Sequence, residues 1–318
     1  MKVSPYMHIH RIEFMTTYFC PGRCKHCSVG ERLNPKQGEI HVQPEKAVNA
    51  IKKIAELFPV SSVMTFGGEP LLFPEVVCAI HQAAASCGIP KRQIITNGYF
   101  SKDEKRIKNV AVKLKNSGVN DLLLSVDAFH QEKIPLGPVL SFAKSAKEAE
   151  IPNIRLQPAW LVNREHGNPY NRKTEEILAA FHELEIPVAQ GNDIFPAGNA
   201  LKYLAEYYPP PAPDSLGECG SAPYTGSPAE VTSVSIEPNG DMTICDFAVG
   251  NICRENVQDI VSRYTPYENN CMKAAISGGA PALLQLAAEN GVRVDGAQWY
   301  SICDICHALA EKLPSNSL

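Results

Sequence analysis

Three cysteines near the amino end of the sequence, Cys20, Cys24 and Cys27, lie close enough in the chain to share one metal centre. Thiolates bind soft metals, so the candidates are zinc and iron–sulfur clusters. A structural zinc ion takes four protein ligands, and His26 could be the fourth, but its ring and the adjacent Cys27 thiolate would struggle to face one ion. Three cysteines on a short loop suit a four-iron cluster whose fourth iron is open to a substrate or cofactor.

Four further cysteines, in the last third of the chain, could form a second metal site. Cys303 and Cys306 make a CxxC pair, the commonest local arrangement for holding one metal centre. Cys245 ends a predicted hairpin, and Cys219 lies just before it. Four thiolates would close such a site, and a zinc ion stays an alternative to a cluster, because a hairpin plus CxxC is also a zinc-ribbon-like arrangement.

The first two thirds of the chain alternate short β-like runs with amphipathic helical stretches. The predicted strands are 10–17, 61–66, 92–97, 120–127, 153–160 and 185–193. The predicted helices are 44–58, 73–88, 103–118, 138–150 and 173–185. This alternation implies parallel strands covered by helices, so we expect an α/β fold with a partial, open (β/α)6 barrel of the TIM-like kind.

Unusual residues follow these predicted strands at their carboxyl ends, where barrels carry their chemistry. Cys20 follows the first strand, and residues 67–70 (GGEP) follow the second. Residues 96–98 (TNG) come after the third strand, and residues 125–127 (SVD) close the fourth. We therefore expect one site at this end of the barrel.

A second, smaller domain is predicted after residue 200. Residues 207–217 (YYPPPAPDSLG) are too rich in proline for a helix or a central strand and indicate a linker. Residues 231–245 predict a hairpin around a PNGD turn, and helices are predicted over 281–290 and 301–313. We expect a barrel domain over 1–200 and a cysteine-rich α+β domain over 201–318.

Composition and charge exclude several functional classes. The formal net charge of −4 and the lack of a long basic run indicate neither a nucleic-acid partner nor an anionic membrane. No apolar stretch reaches the roughly 18 to 20 residues of a membrane span, and the first residues lack the apolar core of a signal peptide, so we expect a cytoplasmic protein. Disulfides are rare in that compartment, and eleven cysteines there indicate metal or redox chemistry.

The first cysteine loop resembles the Cys-x3-Cys-x2-Cys signature of radical S-adenosylmethionine (SAM) enzymes. Residues 65–70 (TFGGEP) are similar to that family's GGEP motif, which grips the methionine amino group of SAM. Glycines there let the backbone approach the ligand, and a carboxylate balances an ammonium group. Residues 96–98 and 125–127 resemble the family's ribose and carboxylate contacts, and His26 fills the usually aromatic slot that flanks the adenine.

This resemblance implies a [4Fe–4S] cluster that binds SAM, with reduced flavodoxin or ferredoxin as electron donor. It implies reductive cleavage of SAM to a 5′-deoxyadenosyl radical, which takes a hydrogen atom from the substrate. The cluster ligands it implies are Cys20, Cys24 and Cys27. The SAM-binding residues it implies are His26, Gly67, Gly68, Glu69, Pro70, Asn97, Ser125 and Asp127. For residues 67–70 a simple turn, for Asn97 a plain turn, and for Ser125 and Asp127 helix capping are the alternatives.

The second cysteine set resembles the auxiliary-cluster domains of radical SAM enzymes, the SPASM and twitch types. Residues 235–245 and the Gly-Asn turn at 250–251 are similar to the hairpin of those domains. The longer cysteine run of full SPASM domains is absent from the sequence, which favours a twitch form with one auxiliary [4Fe–4S] cluster. Its ligands would be Cys219, Cys245, Cys303 and Cys306.

The remaining thiols divide into two pairs. Cys78 and Cys87 lie among alanines and valines of a helical stretch and indicate core packing. Cys253 and Cys271 could complete a further cluster, or could face the active site and give a hydrogen atom to a substrate radical. A purely structural role is the alternative for both.

A distant similarity extends to radical SAM peptide epimerases, through residues 127–130 (DAFH), 195–198 (FPAG) and 301–306 (SICDIC). In those enzymes the hairpin ends in two adjacent cysteines, and the second is the hydrogen donor. Here Asp246 follows Cys245, so epimerisation would need Cys253 or Cys271 as the donor.

We therefore expect a peptide-modifying oxidoreductase that matures a ribosomally made peptide by oxidation, cross-linking or epimerisation. A radical SAM dehydrogenase or related enzyme acting on a small molecule is the alternative. A third class is a non-catalytic electron-transfer or zinc-binding protein, against which the GGEP motif argues, because electron carriers need no amino-group clamp.

Overall fold

The computed structural model describes residues 3–33, 40–209, 216–223, 225–245, 247–292 and 299–312. Its strands are β1 Met7–Met15, β2 Ser62–Phe66, β3 Lys91–Thr96, β4 Asp121–Ser125, β5 Asn153–Gln157, β6 Ala159–Leu161, β7 Asn192–Ile194, β8 Val231–Ile236, β9 Asp241–Ile244 and β10 Phe247–Asn251. Its α-helices are α1 Pro44–Leu57, α2 Pro74–Ser86, α3 Glu104–Asn116, α4 Ala128–Gln131, α5 Leu136–Glu148, α6 Pro169–Ala179, α7 Asn199–Tyr203, α8 Val257–Arg263, α9 Asn270–Glu289 and α10 Ile302–Lys312.

Eight strands form one sheet in the order β10-β9-β8-β1-β2-β3-β4-β5. Strands β1 to β5 pair in parallel, each with the next along the chain. Strand β4 is buried at every position and β2 at nearly every one, as parallel strands covered by helices require. The predicted α/β fold with a parallel sheet is confirmed.

The helices on this sheet form for local reasons that the sequence shows. Helix α1 begins with a proline at its first position, where no backbone N–H is needed, and buries Ala47, Ile51 and Ile54 along one face. Helix α3 is capped by Asp103, whose carboxylate accepts a hydrogen bond from the backbone N–H of Lys105 at 3.0 Å. The helices therefore cover the sheet with apolar stripes and leave the strand ends free.

The sixth predicted strand, 185–193, is mostly absent as a strand. Val188 makes a single bridge to Leu156, and the chain then forms the short strand β7, which pairs with β6 in a separate two-stranded sheet. Pro187 has no N–H to donate to a ladder, and Gly191 has φ +85°, which turns the chain away. Of the six predicted strands, five therefore form full parallel strands of the sheet, and the sixth is reduced.

The predicted hairpin is present as β8 and β9, but it does not stand apart from the barrel. Strand β8 pairs in parallel with β1, so the hairpin and the unpredicted strand β10 extend the barrel sheet. Ile12 on β1, Val234 on β8 and Ile305 on α10 belong to one apolar core. The boundary near residue 200 stays a prediction; residues 210–215 of the predicted linker, and Asp246, lie outside the described residues.

The predicted helix 281–290 is the second half of α9, which bends at Gly279, where φ is +62°. The predicted helix 301–313 is α10. Among the described residues, no helix is long and apolar enough to cross a bilayer.

Candidate active site

The first cysteine loop follows β1 directly and places its three thiols on the wall of one cavity. Cys20 and Cys24 are buried, and Cys27 is half-buried. Burial, followed by the Glu69 carboxylate, raises the pKa of the Cys20 thiol to about 12, and burial raises the pKa of Cys24 well above its ordinary value. At neutral pH such thiols keep their protons unless a bound metal displaces those protons. This donor set therefore fits a metal centre.

The end of β2 holds the cysteine loop through its backbone. Gly68 N donates to Thr17 O at 2.7 Å, and Glu69 N donates to Phe19 O at 2.8 Å. A Cβ atom at Gly68 would lie 2.1 Å from Phe19 O, so only glycine permits this approach. The GGEP segment is therefore built to touch the cysteine loop, which a free turn would not require.

The far side of the loop is held by residues 195–199. Asn199 N donates to Cys27 O at 3.0 Å, and the Asn199 side-chain amide donates to Cys24 O at 3.0 Å. Gly198 has φ +55°, and a Cβ there would lie 2.6 Å from Ser28 O. The FPAG segment, noted in the sequence for another resemblance, thus packs on the cysteine loop.

Glu69 lies behind the cavity wall. Its carboxylate accepts hydrogen bonds from Thr96 Oγ1 at 2.6 Å, Asn97 N at 2.9 Å and Leu71 N at 2.9 Å, and its side chain is fully buried. Burial raises the pKa of Glu69 to about 7, although these hydrogen bonds oppose the rise. The carboxylate therefore joins the ends of β2 and β3, which sequence reasoning had not foreseen; Pro70 is buried beside it.

Asp127 caps α4 and orients a histidine. Its carboxylate accepts from Phe129 N at 3.0 Å, His130 N at 2.9 Å, Ala159 N at 3.1 Å and, with the proton on Nδ1, the His130 ring at 2.8 Å. Burial raises the pKa of Asp127, but His130 and these hydrogen bonds outweigh it and hold the pKa below its ordinary value. Asp127 is thus both a helix cap and the partner of His130.

His26 packs on the edge of His130, with ring centroids 4.9 Å apart. Burial lowers the pKa of His26 to about 4, so its ring is neutral at pH 7. Cys24 Sγ and ring nitrogens of His26 and His130 lie within 4.8 Å of one another, a set that could also hold a single metal ion. The zinc alternative therefore involves Cys24 with two histidines, which differs from the three cysteines and His26 considered from sequence.

The cavity has a volume of about 540 Å³, within the range of small-molecule sites. Six residues that the resemblance assigned to SAM line it, from the cysteine loop and the ends of β2, β3 and β4: His26, Gly67, Gly68, Asn97, Ser125 and Asp127. The Asn97 amide also donates to Cys20 Sγ at 3.5 Å. The fold therefore brings these residues together on one side of the thiols.

Six further polar residues, which sequence reasoning missed, also line the cavity: Arg11, Glu13, Gln93, Gln157, Asn192 and Asp193. Arg11 Nη2 donates to Gln93 Oε1 at 3.1 Å, and Gln157 Nε2 donates to Asn192 Oδ1 at 2.9 Å. Arg11 and Glu13 are two residues apart on β1, on the face opposite Ile12 and Phe14. Polar residues at alternate positions of an otherwise buried strand were the signal available.

The second group of cysteines gathers where α10 meets the hairpin. Cys306 lies on α10, and burial raises the pKa of its thiol, followed by the nearby thiols of Cys271, Cys303, Cys219 and Cys245. Ile302 N donates to Leu216 O at 2.9 Å, which brings the start of α10 to the loop that carries Cys219. The Cys306 thiol is therefore within electrostatic range of the other three predicted ligands and of Cys271.

Cys245 directly follows β9 in a left-handed backbone conformation, with φ +53°. Such a conformation is costly for a residue with a side chain and is typical of functional positions.

The other cysteines are placed as follows. Cys253 lies beside the hairpin turn, where a Cβ on Gly240 would be 2.5 Å from its Sγ. Among the described residues, neither Cys253 nor Cys271 is on the wall of the cavity. Cys78 packs against the core near α3, and Cys87 follows α2 as its cap.

The fold and the site define a class: a parallel α/β protein with a three-thiol loop at the carboxyl ends of its strands, beside a cavity. Residues 14–196, more than half of the 318-residue chain, match the family described as the Radical SAM superfamily. The chain belongs to the radical SAM superfamily and is an enzyme, and that family uses a [4Fe–4S] cluster and SAM.

Curated relatives are similar to about three fifths of the chain. A probable GTP 3′,8-cyclase of Saccharolobus islandicus (strain L.S.2.15 / Lassen #1) is 24% identical over 210 residues, which cover 60% of this chain and 62% of the relative. A probable GTP 3′,8-cyclase of Metallosphaera sedula is 27% identical over 202 residues, which cover 59% of each. The chain therefore spans about three fifths of the length of these relatives.

One solved structure, described as native anSMEcpe with bound AdoMet, is similar over nearly the whole chain. The TM-score is 0.51, with 14% sequence identity, and the match covers 95% of this chain and 96% of that one. At this identity the likeness concerns the fold alone.

Proposed function

We propose that this enzyme cleaves SAM reductively and uses the resulting 5′-deoxyadenosyl radical to take a hydrogen atom from a substrate in the cavity. The observation that carries the proposal is the meeting of three thiols, two of them buried, with residues from three further strand ends on one cavity wall. Reduced flavodoxin or ferredoxin would supply the electron, and the cytoplasm is the expected compartment.

The residues of the chain have separate tasks in this proposal. Cys20, Cys24 and Cys27 would hold the cluster, whose fourth iron accepts SAM. The residues that would contact SAM are His26, Gly67, Gly68, Asn97, Ser125 and Asp127. Glu69 and Pro70 would shape the site from behind, since the Glu69 carboxylate is occupied by Thr96, Leu71 and Asn97.

His130 would face SAM or the substrate with its ring fixed by Asp127. Burial lowers the pKa of His130, but Asp127 outweighs burial and raises the pKa above the ordinary histidine value. Asp127 therefore fixes the orientation of the ring, which lines the cavity.

The second thiol group would hold an auxiliary [4Fe–4S] cluster through Cys219, Cys245, Cys303 and Cys306, in a twitch-like module over residues 201–318. The electrostatic effect of Cys303, Cys219 and Cys245 on the Cys306 thiol, and the hydrogen bond from Ile302 N to Leu216 O that brings α10 to the Cys219 loop, support this proposal. A cluster there could accept an electron from a substrate radical.

The further polar residues that line the cavity favour a substrate with polar groups near its reacting carbon. Arg11, Glu13 and Gln93 would hydrogen-bond hydroxyl, amide or amine groups there. A small polar molecule fits this chemistry, and so does a polar residue of a ribosomal peptide undergoing oxidation or cross-linking. Epimerisation is less favoured, because the two candidate hydrogen donors, Cys253 and Cys271, are off the described cavity wall.

The first test is SAM cleavage by anaerobically reconstituted protein with dithionite, read as 5′-deoxyadenosine formed. We expect product from the natural chain and none from a variant with Cys20, Cys24 and Cys27 all changed to Ala; Cys87→Ala is the matched control. Metal analysis distinguishes about four iron atoms per cluster from one zinc ion. Protein that binds neither iron nor SAM would overturn the proposal.

The same assay distinguishes the substrate classes. Peptide and small-molecule fractions of a cell extract are added separately, and the rise in 5′-deoxyadenosine above the substrate-free rate is measured. A rise with the small-molecule fraction alone supports the small polar substrate, and a rise with the peptide fraction alone supports peptide modification.

A further inference from the structure

The first cysteine loop has one side on the cavity and another side toward solvent. Gly22, Cys24 and His26 line the cavity, whereas the intervening Arg23 and Lys25 are off its described wall. Arg23 is exposed, and the side chain of Lys25 is 32% exposed. Because SAM and the substrate would occupy the cavity, an electron donor has to approach the thiols from the other side.

The backbone at the tip of this loop lies close to two of the thiols. A Cβ atom built on Gly22 would be 3.4 Å from Cys20 Sγ and 3.5 Å from Cys24 Sγ. Gly22 is buried, and the next residue, Arg23, is exposed. The rate of electron transfer between proteins falls steeply with distance, so a donor docked at Arg23 would be well placed to reduce a cluster held by these thiols.

The segment after helix α4 lies against the same tip and adds charge to it. The Cβ built on Gly22 would be 3.4 Å from Ile134 Cδ1, and the residue before Ile134 is the exposed Lys133. Lys25 Nζ lies 3.3 Å from Glu132 Oε1, and Lys133 Nζ lies 3.9 Å from the same oxygen. Two lysines therefore share one carboxylate.

The guanidinium group of Arg23 is held by neutral acceptors. Its Nη1 donates to Cys20 O at 2.7 Å and to Gly22 O at 2.8 Å. These carbonyls orient the group without neutralising its charge. On a chain whose net charge is −4, the tip and the segment beside it thus carry three positive side chains and one negative, namely Arg23, Lys25, Lys133 and Glu132.

We propose that Arg23, Lys25 and Lys133 form the docking surface for a reduced flavodoxin, an acidic protein that would supply the electron for SAM cleavage. This inference rests on the proposed function. One electron leaves the flavin, which is oxidised, and enters the first cluster, which is reduced, and no atom is transferred. Transient electron-transfer complexes have small interfaces that depend on complementary charge, so a local excess of positive charge favours an acidic partner.

A flavin donor suits this surface better than an iron–sulfur donor. A flavin ring can reach the surface of its protein by one edge, whereas a cluster is enclosed by the loops that carry its own cysteines. Flavodoxin is therefore the partner to which the proposal commits, and a ferredoxin is the competing occupant in the test.

The test measures binding of oxidised flavodoxin to the reconstituted enzyme by calorimetry, at about 50 mM and about 500 mM salt. Lys133→Glu reverses the charge of an exposed side chain outside the cysteine loop. Lys108→Glu is the matched control, because Lys108 on α3 is also exposed and also pairs loosely, with Glu148 Oε2 at 3.7 Å. Arg23→Gln removes one charge and keeps an amide donor for the two carbonyls. Ferredoxin is titrated in parallel.

We expect Lys133→Glu to raise the Kd for flavodoxin about fivefold at the lower salt concentration and less than about twofold at the higher one, because salt screens exposed charges. We expect Arg23→Gln to raise the Kd as well, and Lys108→Glu to leave it within about twofold. Equal Kd values for Lys133→Glu and Lys108→Glu overturn the proposal, and so does a natural protein that binds ferredoxin alone or neither donor.

SAM cleavage with two sources of electrons separates this inference from the proposed function. Dithionite needs no docking, so Lys133→Glu and the natural protein are expected to form 5′-deoxyadenosine at equal rates with it. With reduced flavodoxin below its Kd, Lys133→Glu is expected to work at about a fifth of the natural rate. Equal rates with flavodoxin contradict the docking surface alone, whereas natural protein that holds no iron and forms no product with dithionite contradicts the proposed function.

One control covers damage to the loop itself. Iron analysis shows whether Arg23→Gln still holds its cluster, since its side chain bonds the loop backbone. If iron is lost, Lys133→Glu decides the outcome by itself, because Lys133 lies outside the cysteine loop and its charge pairs only loosely with Glu132.

Discussion

The two groups of thiols differ in what surrounds them. Cys20, Cys24 and Cys27 lie on a loop that forms one wall of a cavity, and backbone contacts from neighbouring strand ends hold that loop. The second group comes from a loop, a hairpin and helix α10; Cys219, Cys303 and Cys306 pack against the apolar core, and Cys245 is exposed. The first group faces space that a small molecule can enter, while the four cysteines predicted for the second site are off the described cavity wall and range from half-buried to exposed.

The two groups therefore differ both in the number of thiols and in whether a cavity lies beside them. Three thiols leave one coordination position, and the strand ends supply a pocket for its occupant. The four cysteines predicted for the second site would fill all four positions of a cluster, and none of them lies on the described wall of the cavity. The two regions are also joined directly, because Tyr18 OH donates to Glu237 Oε2 at 2.6 Å between the cysteine loop and the hairpin turn.

The largest effect that would sharpen this comparison is expected from Gly68→Ala. The added Cβ would lie 2.1 Å from Phe19 O, so the cysteine loop must move, at a cost of about 3 kcal/mol. We expect SAM affinity to fall at least about tenfold and the first site to lose iron, while the auxiliary site keeps its own. Binding calorimetry and iron analysis measure both.

Gly137→Ala is the matched control for that substitution. A Cβ at Gly137 meets nothing within 4 Å, and the residue lies in α5, where alanine favours the helix by up to about 1 kcal/mol. Equal loss of iron from both sites in Gly68→Ala would show that the two regions do not behave separately.

An effect of intermediate size, on the free energy of unfolding, is expected from Asp127→Asn. Ala159 N and the His130 ring both bond Oδ2, and Phe129 N and His130 N both bond Oδ1. An amide nitrogen at either position therefore leaves two donors without an acceptor. We expect the free energy of unfolding to fall by about 2 kcal/mol, measured by urea denaturation. Asp103→Asn is the control, because asparagine caps an exposed helix as well as aspartate does, and a loss of similar size there would contradict the special role of Asp127.

The smallest effect is on how stability depends on pH. The sign of this dependence differs between the barrel and the cysteine-rich part. Burial lowers the pKa of His81, which lies behind β2 with Nε2 2.9 Å from Thr65 Oγ1, to about 3. The unfolded chain therefore binds a proton below about pH 6.5 that the folded chain rejects, and stability falls as pH falls. The loss attributable to His81 is about 1 kcal/mol between pH 7.0 and 5.5.

Asp304, beside the second thiol group, has the opposite sign. Burial raises its pKa, so the folded state holds the proton more tightly and acid stabilises this group. Urea denaturation of cluster-free protein at both pH values measures the net change in the free energy of unfolding. The substitution His81→Gln removes the contribution of His81 to that change. An unchanged pH slope in His81→Gln would exclude His81 as the cause.

The sequence predicted the fold class well because strand and helix periodicities are local. Five of the parallel strands and the helices between them lie where the patterns placed them. The sixth strand was wrong in most of its length, since Pro187 and Gly191 outweighed the apolar run around them. Strand β10 was missed, and so was the parallel pairing of β8 with β1, because nothing local reports a partner more than 200 residues away.

Within the candidate site, the sequence named the thiols and most of the residues that line the cavity near them, because motifs at strand ends converge in any parallel barrel. It did not reveal that Glu69 is turned behind the wall, or that residues 195–199 hold the cysteine loop. Nor did it reveal the further polar residues that line the cavity, which come from separate strands.

By itself, then, the sequence determined the family chemistry: three thiols at fixed spacing on a loop, and glycines where the backbone must pass closely. Only the tertiary structure decided which side chains face the cavity, and that the hairpin pairs with β1. The physical reason is that ligand type and spacing are written along the chain. Burial and proximity arise only when helices and strands distant in sequence pack against each other.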